Sequence, residues 1–213
     1  MGPQPGCGPM SDARAVVLGR IRAALGTDTP AAVPVPRDYE RQPSTGSGDV
    51  ERFAETVADY RAQVHRVRPD EAATTIGALV SGIAVMPADL PPDWVSGIRT
   101  VVDEPPVGLD VLDSVDAVVT GCALGIAATG TIVLDAGAAQ GRRALTLVPD
   151  HHICVIRADQ IVDTVPQAFA ALDPSRPLTF ISGPSATSDI ELQRVEGVHG
   201  PRTLDVVIVG AGR

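Results

Sequence analysis

Leu178-Thr179-Phe180-Ile181-Ser182-Gly183-Pro184-Ser185-Ala186-Thr187-Ser188-Asp189-Ile190-Glu191 is an apolar run that stops at a Ser-Gly-Pro break. Small hydroxyl residues, an acid and a helix-compatible segment follow. This order reads as a strand, a loop and the start of a helix. In α/β proteins such a loop lies at the carboxyl end of the sheet, where ligands bind. Its hydroxyls and backbone N–H groups, next to a helix start, favour an anion. The candidate ligand residues are Ser182, Gly183, Pro184, Ser185, Thr187 and Asp189, although Asp189 also suits a helix N-cap. Gly197-Val198-His199-Gly200-Pro201 adds His199 and Gly200, both loop-borne, and loops carry sites.

Working outward, the same alternation recurs. Short apolar strands are expected over residues 64–67, 83–86, 100–102, 117–120, 131–134, 153–156, 178–181 and 204–209. Helices are expected after Asp49, with Val50, Phe53, Ala54, Val57 and Val64 on one face, and over 70–80, 109–112 and 160–172. Such a pattern predicts an α/β domain of three layers, α/β/α, around a mostly parallel sheet. Before it, Ser11 can cap a helix carrying Ala13, Val17, Ile21 and Ala24 at helical spacing, with Gly26 as its stop. A Pro-rich and then Ser/Gly-rich stretch follows. We therefore divide the chain into an N-terminal helical arm with its linker, 1–48, and an α/β domain, 49–213.

The 213 residues suffice for one sizeable core, and a hydrophobic share of 44% makes the chain globular. A formal charge of −9 argues against nucleic acid and against anionic membrane surfaces. It leaves room for a small anion held by local arginines. The sequence contains no Lys and no Asn, and all 17 basic residues are Arg. Lysine-dependent chemistry is thereby excluded: Schiff-base enzymes, pyridoxal enzymes and phosphate-loop nucleotidases. Cys7, Cys122 and Cys154 form no CxxC, so no cluster or zinc-ribbon spacing is present. No signal-like apolar start and no membrane-length run occur, so a cytoplasmic protein is expected.

Three further segments carry candidates. The Gly-rich stretch from Gly121 to Thr131 does not match a dinucleotide fingerprint, but it contains Thr129, Gly130 and Thr131 as candidate ligand-site residues; close packing is the alternative reading. Arg143 can pair bidentately with a carboxylate or phosphate. Adjacent residues of a strand face opposite ways, so His151 and His152 are not expected to chelate one metal, and no metal site is expected. His152 is kept as a candidate. Cys122 and Cys154 read as inert packing residues.

In order, Ala127-Ala128-Thr129-Gly130-Thr131-Ile132-Val133, Leu147-Val148-Pro149-Asp150-His151-His152-Ile153, the Ser182-to-Glu191 stretch and Gly197-Val198-His199-Gly200-Pro201 resemble the LutC/YkgG family, also called the LUD domain. The resemblance covers about residues 50–210. It implies a NagB/RpiA/CoA transferase-like fold. It also implies a place in a three-protein system for growth on L-lactate, whose two companions look like iron–sulfur proteins and carry the electrons. No cofactor is then expected on this chain. The family pattern has an acid where this chain has Ala128, and an Arg where it has Ala186. Roles resting on those two side chains do not carry over.

These readings leave three functions. One is a non-redox subunit or accessory protein of an iron–sulfur-dependent complex oxidising L-lactate to pyruvate, with two iron–sulfur partners. A second is a free-standing enzyme of the isomerase or acyl-transferase group that binds a small carboxylate or phosphate. The third is an interaction module docking through the N-terminal helix. Catalytic residues are not assigned.

Overall fold

The computed structural model describes residues 11–26, 33–36, 48–184 and 200–210. Contacts divide the chain into two compact units, Met1–Tyr39 and Glu40–Arg213. The first contains α1 (Ser11–Leu25), closed at Gly26 by a φ of +71°. Along α1, Val16, Val17, Ile21 and Leu25 are exposed.

Among its described residues the second unit carries four further α-helices and ten strands. The helices are α2 (Val50–Asp59), α3 (Ala72–Leu79), α4 (Leu109–Ser114) and α5 (Val165–Ala171). The strands are β1 (Gln63–Val67), β2 (Ile83–Met86), β3 (Arg99–Val102), β4 (Ala117–Thr120), β5 (Leu124–Ile126), β6 (Thr131–Leu134), β7 (His151–Arg157), β8 (Ile161–Val162), β9 (Thr179–Ile181) and β10 (Thr203–Val209). Six of them form an all-parallel sheet in the order β1-β10-β7-β4-β2-β3. The central strands are apolar on both faces, as a covered parallel sheet requires.

One face packs α3 through Ala72 and Ile76 onto Val119, Ile153, Val155 and Val207. The other packs Phe53, Ala54 and Val57 of α2, with Ile132 and Ile161, onto Cys154, Ile156, Val206 and Ile208. Farther along that side Leu112 of α4 joins Val85, Val118 and Leu145. The start of α2 is fixed by Asp49, whose carboxylate accepts a hydrogen bond from the Arg52 N–H at 3.0 Å.

Two expected strands lie elsewhere than in the parallel sheet. The 131–134 and 178–181 runs become β6 and β9 of a second, four-stranded sheet ordered β8-β5-β6-β9. There β5–β6 and β6–β9 are antiparallel and β5–β8 is parallel. The reason is length. Only Ala127–Gly130 separates β5 from β6, which allows a hairpin, whereas a parallel crossover takes about a dozen residues. The Ser182 loop therefore leaves the small mixed sheet, and the reading that placed it at the carboxyl end of the parallel sheet is corrected.

Two helix expectations are also corrected. Val64 lies in β1, because the chain leaves α2 at Tyr60 and takes a left-handed turn at Arg61 (φ 68°). The helix expected over 160–172 starts only at Val165. Pro166 is tolerated in the first helical turn and not deeper, so the preceding Ile161–Val162 is free to pair with β5.

Gly130 turns the chain from β5 into β6 against α2. Its φ is +58°, and a Cβ there would lie 2.6 Å from the Thr56 carbonyl carbon and oxygen. Backbone cannot move aside as a side-chain tip can. Gly130→Ala is expected to cost at least about 1–3 kcal/mol through overpacking and the left-handed φ. Urea unfolding monitored by circular dichroism measures it; an unchanged midpoint would contradict the packing role.

Candidate functional site

The carboxyl ends of β2, β4 and β7 open onto a segment that follows β6. In this segment, Asp135-Ala136-Gly137-Ala138-Ala139-Gln140-Gly141, three residues are left-handed: Ala136 (φ 53°), Ala139 (φ 61°) and Gly141 (φ 66°). For a non-glycine residue that conformation costs roughly 1–2 kcal/mol. It persists only where the surroundings impose it, and it clusters at functional sites.

The surroundings here are explicit. The Ala139 N–H donates to Asp89 Oδ2 at 2.8 Å, and its carbonyl accepts from the Gly121 N–H at 2.7 Å. Gln140, 4% exposed, closes a ring with Asp135: its Oε1 accepts from the Asp135 N–H and its Nε2 donates to Asp135 Oδ1, both at 2.7 Å. Asp135 Oδ2 pairs with Arg176 at 3.0 Å.

The segment walls two clefts, and Gln140 lines both. The larger, about 700 Å³, lies between Trp94, Gly121, Cys122, Arg157, Gln160 and Arg176. The smaller, about 310 Å³, lies between Leu134, Arg142, Arg143, Thr146 and Thr179. Both volumes fall in the range of small-molecule sites, roughly 300–1,000 Å³. Across the smaller cleft, Arg142 is locked: its Nε and Nη2 reach the two Asp103 oxygens at 2.7 and 2.9 Å, and Nη2 also meets the Val107 carbonyl. The Arg142 side chain holds the Asp103 carboxyl below its ordinary pKa. Arg143 donates through Nη1 to Thr146 Oγ1 at 2.6 Å and to the Thr146 carbonyl at 3.2 Å. Desolvation lowers its pKa.

The residues singled out from sequence fall into separate places. Thr129, Thr131 and Ser182 come together: Thr131 Oγ1 lies 2.8 Å from both the Thr129 and Ser182 hydroxyls. Gly130 and Gly183 seat this hydroxyl cluster against the end of α2, since a Cβ at Gly183 would meet the Tyr60 carbonyl. This is the Thr131–Ser182 end of the β6–β9 pair. Arg143 belongs to the other end, where Leu134 faces Thr179. Pro184 directly follows the hydroxyl cluster in the chain. Gly200 has open space where a Cβ would be, so packing does not demand glycine there. Ser185, Thr187, Asp189 and His199 lie outside the described residues.

His152 is 1% exposed and shares a 2.8 Å hydrogen bond with Thr120 at the end of β4. Burial, with smaller contributions from His151 and Arg143, lowers its pKa to about 3. The imidazole is therefore neutral near pH 7. His151 turns to the opposite face of β7, as strand alternation dictates. Its Nε2 lies 2.7 Å from Asp205 Oδ2 on β10, and His65 Nε2 on β1 lies 2.5 Å from Oδ1. Burial raises the pKa of Asp205, but its bonds to His151 and His65 outweigh this, and the net shift is downward. Among the described residues, no group of three or more His, Cys, Asp or Glu has metal-holding geometry.

The LUD domain pattern matches residues 109–209, the span holding α4, the smaller cleft and β10. A Lactate utilization protein C from Deinococcus radiodurans is 44% identical over 213 residues, covering 94% of this chain and 97% of the relative. The chain belongs to the LUD-domain family.

A Lactate utilization protein C from a Geobacillus species is 32% identical over 110 residues, covering 47% of this chain and 45% of its own. The crystal structure of a DUF162 family protein from Deinococcus radiodurans is similar with a TM-score of 0.65 and 42% identity, covering 75% of this chain and 95% of that one. No helix among the described residues of this LUD protein is long and apolar enough to cross a membrane.

Sequence reasoning missed Asp135, Gln140, Arg157, Gln160 and Arg176. The legible signal was the Ala/Gly run between a strand and Arg142-Arg143, which is too small-sided for a core and too long for a tight turn. It also missed His65 and Asp205, which only strand pairing brings to His151.

His152 gives this LUD domain a defined acid response. Its folded pKa, about 3, lies below the 6.5 of the free side chain. Between these values the unfolded chain binds a proton that the folded chain refuses. Stability is thus full above pH 6.5 and falls as the pH drops, by up to about 1.4 kcal/mol per unit from this group. His152→Gln is expected to flatten the pH dependence of the urea midpoint between pH 6.5 and 4.5 by one proton; an identical slope in the two proteins would reject the assignment.

Proposed function

We propose that this protein is a non-redox component of an iron–sulfur-dependent system that oxidises L-lactate to pyruvate. The observation that carries this reading is the 44% identity, over nearly the full length of both chains, to the Deinococcus radiodurans protein called Lactate utilization protein C. Converting a 2-hydroxy acid to a 2-oxo acid removes two electrons and two protons, so an acceptor is required. The cysteines of this chain lack cluster spacing. Cys122 and Cys154 are buried, and the hydrogen bond with Cys154, together with burial, raises the Cys122 thiol well above its ordinary pKa. A thiol raised in this way is a poor ligand and a poor nucleophile. These features support electron transfer on two iron–sulfur partner proteins, with this chain binding and positioning. The covered parallel sheet agrees with a NagB/RpiA/CoA transferase-like fold.

A second reading is a free-standing enzyme of the isomerase or acyl-transferase group. The larger cleft, lined by Gly121 and Arg157 at the carboxyl ends of β4 and β7, favours it, because that is where α/β proteins bind ligands. Ala128, in place of the family's acid, counts against coenzyme A transfer chemistry.

Deleting the gene from its host is expected to abolish growth on L-lactate while leaving growth on pyruvate intact. Undiminished growth on L-lactate, in a strain shown to have no other lactate oxidase, would remove the proposed role.

A further inference from the structure

We propose that the smaller cleft is a seat for a short 2-hydroxy or 2-oxo carboxylate, with Arg143 as its anion-binding side chain. The choice of acid rests on the lactate reading above; the charge argument stands without it.

The chain carries a net −9. The larger cleft reflects this, with Asp89, Asp135 and Asp159 set against Arg157 and Arg176. The smaller cleft reverses it: among the described residues its lining contains Arg142 and Arg143 and no acidic residue. A positive cleft in an acidic protein concentrates anions locally.

The two arginines differ in what they have left to offer. Arg142 is committed to Asp103 and the Val107 carbonyl. Arg157 pairs with Asp159 and Arg176 with Asp135. Among the described residues Arg143 has no acidic partner, and its described acceptors are the two neutral Thr146 oxygens, both taken by Nη1. Those bonds aim the guanidinium without neutralising it. The fork geometry of Arg suits a carboxylate bidentately, with a strength neutral acceptors do not match.

Size and lining then narrow the ligand. At about 310 Å³ the cleft suits a small molecule rather than a nucleotide. Leu134, Ala136 and Pro177 give apolar wall for a short alkyl group, and Thr179 also lines the cleft. Gln140, held rigid by Asp135, separates this seat from the larger cleft.

The test is calorimetric titration of the purified full chain with L-lactate, pyruvate and inorganic phosphate. Wild type, Arg143→Gln, Arg143→Lys and Arg157→Gln are compared, and thermal melts verify that each variant folds. L-lactate or pyruvate is expected to bind, about ten-fold or more weaker in Arg143→Gln, with partial retention in Arg143→Lys and no change in Arg157→Gln. Three results would overturn the seat: no binding of either acid, equal binding by wild type and Arg143→Gln, or binding of phosphate alone. The seat and the lactate role fail separately. If deletion abolishes growth on L-lactate but Arg143→Gln binds as wild type does, the seat falls and the role stands. If carboxylate binding depends on Arg143 but deletion leaves growth intact, the role falls and the seat stands.

Discussion

The ladder formed by β10, β7 and β4 is the constraint to which the other parts answer. Its residues are covered on both faces, so each backbone N–H and C=O along it must find its partner in a neighbouring strand. That requirement fixes the register: His152 lies opposite Leu204 on one side and Val118 on the other. Register in turn decides which side chains meet. It puts the His152 ring beside Thr120 on one face and His151 beside Asp205 on the other. A shift of one residue would move every apolar side chain of β7 to the opposite face, so these pairings are as strongly specified as the core itself.

The carboxyl ends of β2, β4 and β7 are covered by one short segment, Asp135 to Gly141, held in an unfavourable backbone conformation. Carboxylates from separate parts of the chain hold it. Asp89 takes the Ala139 N–H, Asp135 takes Gln140 and Arg176, and just beyond the segment Asp103 takes Arg142. Part of the chain's acidity is thus structural and consumed at its own site. The local result is an imbalance of charge between the two clefts, although one wall serves both.

Much of the fold was legible because it rests on local rules. Apolar β-branched runs marked six of the parallel strands, Asp49 marked the start of α2, and Gly26 marked the end of α1. The reading failed where a choice between partners was needed. Thr131–Leu134 and Thr179–Ile181 look like parallel strands in isolation, and the four-residue link before β6 sends them into a hairpin-based sheet instead. Of the candidate site residues, Arg143 lies on a cleft, while Thr129, Thr131 and Ser182 form a hydroxyl cluster beside α2. Gly121 and Cys122 of the larger cleft lie in the Gly-rich stretch read as close packing or ligand lining, whereas Asp135, Gln140, Arg157, Gln160 and Arg176 went unread, because only the folded backbone brings these separated positions together.

The sequence by itself determined the α/β class, the acidic balance, the absence of any lysine chemistry and the family. Each follows from composition, periodicity or ordered motifs, which are properties of residues near one another in the chain. Only the tertiary structure decided that a second, mixed sheet exists, that His65 and His151 share the Asp205 carboxylate, and that Arg143 faces a cleft with no acid among its described lining residues. These depend on contacts between residues far apart in sequence, such as the 140 positions between His65 and Asp205. Their geometry is set by strand order and register, which no local pattern encodes.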